Sequence, residues 1–260
     1  MLGDVLTEVE SRQKTLTVFN YDGSRRLTEN IQRYFSLRNV EVTTGRTRPV
    51  SPSNFVLLHE DGRTLAASDL ADLRDHLLAD STAAYVRGEK PLDEIDYPDV
   101  LTRLDDTVFT VSGVQTLLMV KVSRYIEGLA GGRATGTLRA GFQDLDRLTD
   151  EPGTRRVYRR LVDRGVDVHA YGHPGDPATD GGPHTTQIED GDSTTPAGVT
   201  AHAEPVPELA DCWFVVYDGG DRPERAAALL AERREDGFYG FWTFETETVD
   251  RIDAYLARAY

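Results

Sequence analysis

Two basic side chains, Lys121 and Arg124, fall on or beside the apolar stripe of the strongest predicted helix in the chain, SGVQTLLMVKVSRYIEGLAGG. A cation held beside an apolar surface is suited to an anionic ligand, whereas a lysine whose ammonium group reaches solvent is the alternative for Lys121. Glu127 follows Arg124 at i,i+3, which predicts an ordinary ion pair on the helix surface. The two cations are therefore candidates for ligand binding.

The segment GFYGFWTF, residues 237–244, holds five of the chain's 22 aromatic side chains. Because alternate residues of a strand face opposite sides, Phe238, Trp242 and Phe244 share one face with Gly240. A central strand covered on both faces has this composition. Glycines beside large rings would also leave room for a ligand that approaches the strand. The segment is therefore both a predicted core strand and a candidate pocket wall.

The predicted ligand site lies in the second half of the chain, between this helix and the aromatic strand. Apolar walls with a few polar groups are typical of small-molecule sites. The candidate site residues are the two cations of the helix and four aromatic residues of predicted strands: Lys121, Arg124, Tyr171, Trp213, Trp242 and Phe244. The sequence identifies neither the ligand nor a cofactor.

Motifs of familiar enzyme chemistry are missing from the sequence. It contains no G-x-x-x-x-G-K-[ST] phosphate loop, no G-x-G-x-x-G after a strand and no G-x-S-x-G nucleophile elbow. His169 and His173 have a spacing that metal ligands can use, but no acid shares a helix face with them, which favours exposed or strand-end histidines. Cys212 is the only cysteine, and we expect it to be a small core residue. No catalytic or metal-binding residue is predicted.

The chain is strongly acidic, with 44 acidic and 29 basic residues and a formal charge of −15. This balance argues against nucleic-acid binding, which depends on Lys and Arg contacts to phosphates. Only three of the basic residues are lysines; an acidic surface with so little lysine favours a halophilic protein over an ordinary acidic one. No segment approaches the ~18 apolar residues of a membrane span, and the N-terminus lacks a signal-peptide pattern. We expect a cytoplasmic protein without membrane contact.

Hydrophobic periodicity predicts an α/β chain of the mixed α+β type. A capping box, Ser112 and Gln115, begins the strongest helix, and Gly131–Gly132 are expected to end it. The pattern of residues 29–45 returns at 154–172, and that of 54–70 returns at 212–230. These repeats predict two duplicated βαββα-like halves, each with a mixed sheet covered by helices, with chance similarity as the alternative.

The expected domain organisation follows from this repeat. An N-terminal half covers residues 1–86, and a C-terminal half covers 110–260. Residues 87–109 are rich in acids and contain two prolines, so they are predicted to be a connecting linker. Residues 173–206 have almost no large apolar side chains, which predicts a mobile surface loop.

Five stretches of the second half resemble, in this order, the DICT family: KVSRYIEGLA, GFQ, YRRLVDRGVDVHAYG, CWFVVYD and GFWTFETETVDRI. The resemblance covers about residues 110–257 and extends only loosely to the N-terminal half. DICT domains are sensory domains found with diguanylate cyclases and two-component proteins, with stand-alone versions in haloarchaea. The resemblance implies signal sensing, with light among the candidate stimuli, by a domain of no known catalytic activity.

The sequence therefore predicts a cytoplasmic sensory or regulatory domain that binds a small ligand or a partner. It has no recognisable cyclase, phosphodiesterase, kinase or DNA-binding region, so its signal is expected to pass to a separate signalling protein such as a kinase, a cyclase or a transcription regulator. Two alternatives stay open. One is an enzyme with an unrecognised active site that acts on a nucleotide or another small molecule, and the other is a pure protein-interaction module.

Overall fold

The computed structural model describes residues 2–8, 14–21, 23–35, 40–47, 53–78, 98–104, 109–111, 116–174, 195–235 and 237–260. The helices are α1 (Leu2–Glu8), α2 (Arg25–Phe35), α3 (Leu70–Leu78), α4 (Asp99–Thr102), α5 (Thr116–Arg133), α6 (Asp146–Asp150), α7 (Pro152–Asp163), α8 (Pro207–Asp211) and α9 (Thr246–Ala259). The strands are β1 (Lys14–Phe19), β2 (Val40–Gly45), β3 (Phe55–Glu60), β4 (Arg63–Asp69), β5 (Phe109–Val111), β6 (Thr137–Asp144), β7 (Asp167–His173), β8 (Val199–Ala203), β9 (Cys212–Tyr217), β10 (Ala227–Arg234) and β11 (Gly237–Thr243).

The predicted mixed α+β class is confirmed by two mixed sheets. The smaller sheet has the strand order β2-β1-β3-β4, and the larger has the order β5-β11-β10-β9-β6-β7-β8. Strands β1 and β2 are parallel, as are β6, β7 and β8, and the other pairs are antiparallel.

The topology of the smaller sheet is repeated inside the larger one. The order β2-β1-β3-β4 corresponds to β7-β6-β9-β10, with the same strand directions at every pair. Helices α2 and α7 make the crossover between the parallel strands of the two sheets. The repeated unit contains one strand more than the predicted βαββα pattern, because β3 and β4 form a complete hairpin before α3.

Helices cover both faces of the larger sheet. On one face, α5 and α7 contribute buried residues such as Met119, Ile126 and Val157 to a core that continues into the smaller sheet. On the other face, α1, α8 and α9 enclose a second core with Leu6, Leu209 and others. Because the sheet is buried on both sides, its central strands carry near-continuous apolar runs.

Two segments lie elsewhere than the predicted domain organisation puts them. Helix α1 packs against β10 and α9 of the second half, and its Leu2 and Leu6 are buried there. The predicted linker contributes α4, whose Val100 and Leu101 are buried against the first half, and strand β5, which begins at Phe109 and pairs with β11. These segments are apolar at the positions that pack, which overrides the acidic composition around them.

The predicted loop 173–206 is partly ordered as well. Residues 199–203 form β8, a parallel neighbour of β7 at the edge of the sheet. Main-chain hydrogen bonding to an open edge needs few large side chains, so composition alone did not indicate this strand. Residues 175–194 of the predicted loop lie outside the described part of the chain.

One predicted helix boundary also differs. Helix α5 continues through Gly131–Gly132 to Arg133, and Ala134 then takes the left-handed conformation with φ 59°. The predicted capping box at Ser112 and Gln115 falls outside the described residues.

Candidate functional site

A cavity of about 650 Å³ lies between the larger sheet and the helices α5, α6 and α7. Its floor is formed by β6 and β9, and the first turn of α7 contributes to its rim. This volume falls within the range of about 300–1,000 Å³ that is usual for small-molecule sites. Five of the eight buried polar or charged side chains among the described residues line it: Ser123, Arg124, Glu127, Gln143 and Thr154. Buried polarity is thus concentrated at one place in the fold.

A buried polar network joins α5 to α7 beside this cavity. Arg124 Nη1 lies 2.6 Å from Glu127 Oε2, with side chains only 8% and 2% exposed. Arg124 Nη2 donates to Thr154 Oγ1 at 3.1 Å, and Tyr158 also hydrogen-bonds to Glu127. The ion pair predicted for Arg124 and Glu127 is present, but its predicted position on the surface is wrong, because α7 and the sheet enclose both side chains.

Burial and pairing act in opposite directions on the two charges. Burial raises the pKa of Glu127, and the neighbouring guanidinium of Arg124 opposes that rise. For Arg124, burial lowers the pKa, but the charge and hydrogen bond of Glu127 outweigh it and leave a net upward shift. Burial also raises the pKa of the Tyr158 hydroxyl well above its ordinary value, so Tyr158 stays protonated and donates its hydrogen bond. The network consists of one cation, one carboxyl group and neutral donors.

Rings and aliphatic side chains form much of the remaining wall. Trp213 on β9 is half-buried, and its indole Nε1 donates to Ser123 Oγ on α5 at 3.2 Å. Phe142 on β6 meets Tyr158 edge to face, with 5.2 Å between ring centroids. Val215, one alternation further along β9 than Trp213, faces the same side. These groups make an apolar surface beside the polar network.

The side chain of Gln143 is only 4% exposed. Within the described residues, neither its Nε2 nor its Oε1 has a partner. Its backbone has φ 64°, the left-handed region, and lies where the register between β6 and β7 shifts. A buried amide without partners costs ~1–3 kcal/mol, and such a backbone adds strain of order 1–3 kcal/mol. Gln143 therefore combines two costs at one position on the cavity wall.

The mouth of the cavity carries balanced charge. Its exposed charged residues are Arg147, Asp150, Glu151 and Arg156. With the Arg124–Glu127 pair, the lining contains three basic and three acidic side chains. At the N-terminus of α7, Thr154 Oγ1 donates to Glu151 Oε2 at 3.0 Å, so a carboxylate already lies beside the positive end of the helix dipole. The site has no excess charge of either sign.

Of the six predicted site residues, Arg124 and Trp213 lie on the wall of this cavity. Lys121 lies on the same helix one turn before Tyr125 but outside the cavity wall. Its side chain is 3% exposed, and burial lowers its pKa. This burial contradicts the alternative prediction for Lys121, in which its ammonium group reaches solvent.

Trp242 and Phe244 belong to the core instead of the cavity wall. Trp242 is buried against Phe109, with 5.5 Å between ring centroids, and Phe244 meets Tyr125 edge to face at 6.0 Å. The predicted division of the aromatic strand between two faces is confirmed. The gap expected beside Gly240 is absent among the described residues, because a Cβ there would overlap the backbone of β10.

Tyr171 lies on the opposite face of the sheet, in the second core. Its hydroxyl accepts from Arg139 Nη1 at 2.8 Å, and its ring stacks on His202 with 4.3 Å between centroids. His202 Nε2 lies 2.9 Å from His169 Nδ1. This cluster does not share a site with Arg124 and Trp213.

Gln143, Thr154 and Tyr158 are wall residues that the sequence did not identify. All three lie in predicted elements, but nothing in their spacing indicates a pocket. Glu127 could have been found from its place three residues after Arg124 on a helix with a broad apolar face. A left-handed residue inside a strand such as Gln143 has no comparable sequence signal.

The described residues contain neither a candidate metal cluster nor a candidate membrane-spanning helix. In the described ranges, no three His, Cys, Asp or Glu side chains converge in a way that could hold a metal ion. None of the described helices is both long and apolar enough to cross a lipid bilayer. Cys212 is a free, buried thiol, and burial raises its pKa to about 12.

The chain matches no protein-family model. A comparison with curated proteins likewise finds no match. The resemblance to the DICT family therefore stays a prediction that rests on the five sequence stretches.

Proposed function

We propose that this protein is a sensory or regulatory protein whose small-molecule ligand occupies the cavity between β6, β9, α5 and α7. The observation that carries the proposal is the cavity of about 650 Å³, whose wall holds five of the eight buried polar or charged side chains among the described residues. An apolar wall with a few polar groups is how small-molecule sites are built. The strained backbone of Gln143 on this wall adds support, because strain clusters at functional sites.

The resemblance to the DICT family supports a ligand site in the same cavity. Four of the five stretches that carry it contribute to the cavity wall: KVSRYIEGLA through Ser123 and Arg124, GFQ through Gln143, YRRLVDRGVDVHAYG through Tyr158, and CWFVVYD through Trp213. These stretches are far apart in sequence, and folding brings them around one volume. That convergence is what a ligand-sensing family would require.

The route of the signal is a further part of the proposal and rests on the resemblance alone. The ligand-bound protein acts on a separate signalling protein, such as a kinase, a cyclase or a transcription regulator. The proposed setting is a cytoplasm of high salt, which the −15 charge and the three lysines support. Thermal unfolding in KCl from about 0.1 to 2 M tests this setting, because screening of the acidic surface should raise the melting temperature.

Thermal-shift screening against a metabolite library tests the ligand-binding proposal. A ligand at about 100 times its Kd stabilises the folded state by ~2.7 kcal/mol, which for a protein of this size raises Tm by about 5–10 °C. Val120→Phe, which fills the cavity from α5, should abolish the shift. Leu129→Phe is the matched control, since Leu129 is half-buried on the same helix but away from the cavity wall, and it should retain the shift. A library without hits, or hits insensitive to Val120→Phe, contradicts the proposal.

A further inference from the structure

We infer that the ligand of this cavity is an uncharged aromatic molecule, held through its apolar surface and not by hydrogen bonds to the buried side chains of the wall. This inference rests on the proposed function and names the class of ligand for the same site. Three observations carry it: the partners of the buried polar groups, the carbon surface of the wall and the charges at the mouth.

The buried polar side chains of the wall already have partners within the protein. Arg124 pairs with Glu127 at 2.6 Å and donates to Thr154 at 3.1 Å. Ser123 Oγ accepts from the indole of the tryptophan on β9 at 3.2 Å. A ligand that replaced these partners would exchange one hydrogen bond for another, which gains little. The amide atoms of Gln143 are closed off from the open volume, so they cannot pair with a ligand there.

The surface that remains for a ligand is largely carbon. Val120 on the roof and Phe142 and Trp213 on the floor are half-buried and line the cavity. Ala140 and Val215 lie opposite each other in the register of β6 and β9 and continue the floor. Burial of apolar surface favours binding, and aromatic rings make stacking or edge contacts with one another. The wall is therefore suited to an aromatic ligand.

The charges at the mouth favour no ion of either sign. Arg147 and Arg156 are matched in number by Asp150 and Glu151. Thr154 Oγ1 donates to the carboxylate of Glu151 at 3.0 Å, which compensates the positive end of the dipole of α7. An ionic group attached to a ring would enter the cavity without a counter-charge, and burying an unpaired charge is strongly unfavourable. An uncharged ligand avoids this cost.

Two fluorescent probes with the same rings test this inference. N-phenyl-1-naphthylamine is uncharged, whereas 8-anilinonaphthalene-1-sulfonate carries a sulfonate group on the naphthalene ring. Both are titrated in about 2 M KCl, where the Debye length is below about 3 Å, so long-range repulsion by the acidic chain does not contribute. We expect the wild type to bind the uncharged probe at least about tenfold more tightly, because the sulfonate would lose its hydration inside the cavity.

Two variants locate the bound probe. Val120→Phe fills the cavity from α5 and should weaken binding of the uncharged probe at least about tenfold. Leu129→Phe, on the same helix but away from the cavity wall, is the matched control and should leave the affinity unchanged. If Val120→Phe does not fold, Trp213→Leu replaces it. This change keeps the wall apolar but removes an aromatic ring, and it should weaken the same probe at least about threefold.

Equal affinity of the wild type for the two probes, or tighter binding of the sulfonate, overturns the inference. The absence of binding of the uncharged probe up to its solubility limit also overturns it, and so does binding that the cavity variant leaves unchanged. None of these results removes the proposed function, which fails only if the metabolite screen and its Val120→Phe control fail. Ionic hits that depend on Val120 would leave the function standing and overturn this inference, so the two failures are distinguishable.

Discussion

Arg124 and Glu127 lie one helical turn apart on α5 and form an ion pair, 2.6 Å between Nη1 and Oε2, that is closed off from solvent. The pair also reaches α7 through Thr154 and Tyr158. With these partners, the two charged side chains hold α5 against α7. They thereby fix the spacing between the two helices, both of which line the cavity. The pair is part of the scaffold that keeps the cavity open.

Replacing one partner of this pair should destabilise the protein strongly. Arg124→Met leaves the carboxyl group of Glu127 buried without its cation, and such changes cost ~3–5 kcal/mol. The double variant Arg124→Met with Glu127→Leu removes both charges and should cost less than Arg124→Met alone. Urea unfolding of the three proteins measures this difference.

The exposed pair Arg74–Asp75 serves as the control, since its side chains are 48% and 64% exposed. Asp75→Ala should change the free energy of unfolding by at most ~1 kcal/mol. A cost of that size for Arg124→Met as well would mean that the buried pair does not hold the helices together.

Gln143→Gly should make the protein more stable in the absence of ligand. The change removes an unsatisfied buried amide, worth ~1–3 kcal/mol, and releases backbone strain. The expected gain in the free energy of unfolding is about 1–3 kcal/mol, larger than the gain from Ala134→Gly, which releases strain alone. Chemical denaturation compares the two variants. A loss of stability in Gln143→Gly would show that the amide has partners in the folded protein.

Glu208 on α8 links both ends of the described chain. One carboxylate accepts from the backbone amide of Leu2 at 2.7 Å, from Tyr255 at 2.7 Å and from Tyr260 at 2.6 Å. We expect Glu208→Ala to lower stability by ~1.5–3 kcal/mol, the range for hydrogen bonds to a charged group. Hydrogen exchange should then accelerate in α1 and at the end of α9 but not in α5. Unchanged protection of α1 would contradict this role.

The stability of the fold should fall as the pH drops below about 6.5, the ordinary pKa of histidine. Burial lowers the pKa of His202, and its neighbours His169 and Arg139 lower it further, against the effect of the backbone of Tyr260. The unfolded state therefore binds more protons in this window, so the contribution of His202 is complete above the unfolded pKa and is lost below it. His202→Gln should flatten the decline of Tm between pH 7.5 and 5.5. An identical decline in both proteins would assign the pH dependence to other groups.

Much of the fold follows from local patterns in the sequence. Alternation placed the rings of β11 on the correct faces, because the register of a buried strand is set by its apolar positions. The Asp61–Gly62 turn, with φ 47° and 78°, closes the β3–β4 hairpin, and Asp-Gly is a strong signal for such turns. These features depend on residues that are close in the chain.

The missed features depend on partners that are distant in the chain. Strand β8 exists because the edge of β7 is open to it, and α1 is buried by β10 and α9. Arg124 and Glu127 lie on a helix whose burial is decided by α7, which begins at Pro152. The strain at Gln143 arises where β6 and β7 change register. A single sequence does not state these pairings, so the cavity could not be located from it.

The melting temperature in the presence of metabolites gives the most direct measurement of the central claim, that this cavity is a ligand site. The account predicts at least one compound that, at about 100 times its Kd, raises Tm by about 5–10 °C in the wild type and in Leu129→Phe but not in Val120→Phe. Compounds whose shift survives in Val120→Phe would contradict the account.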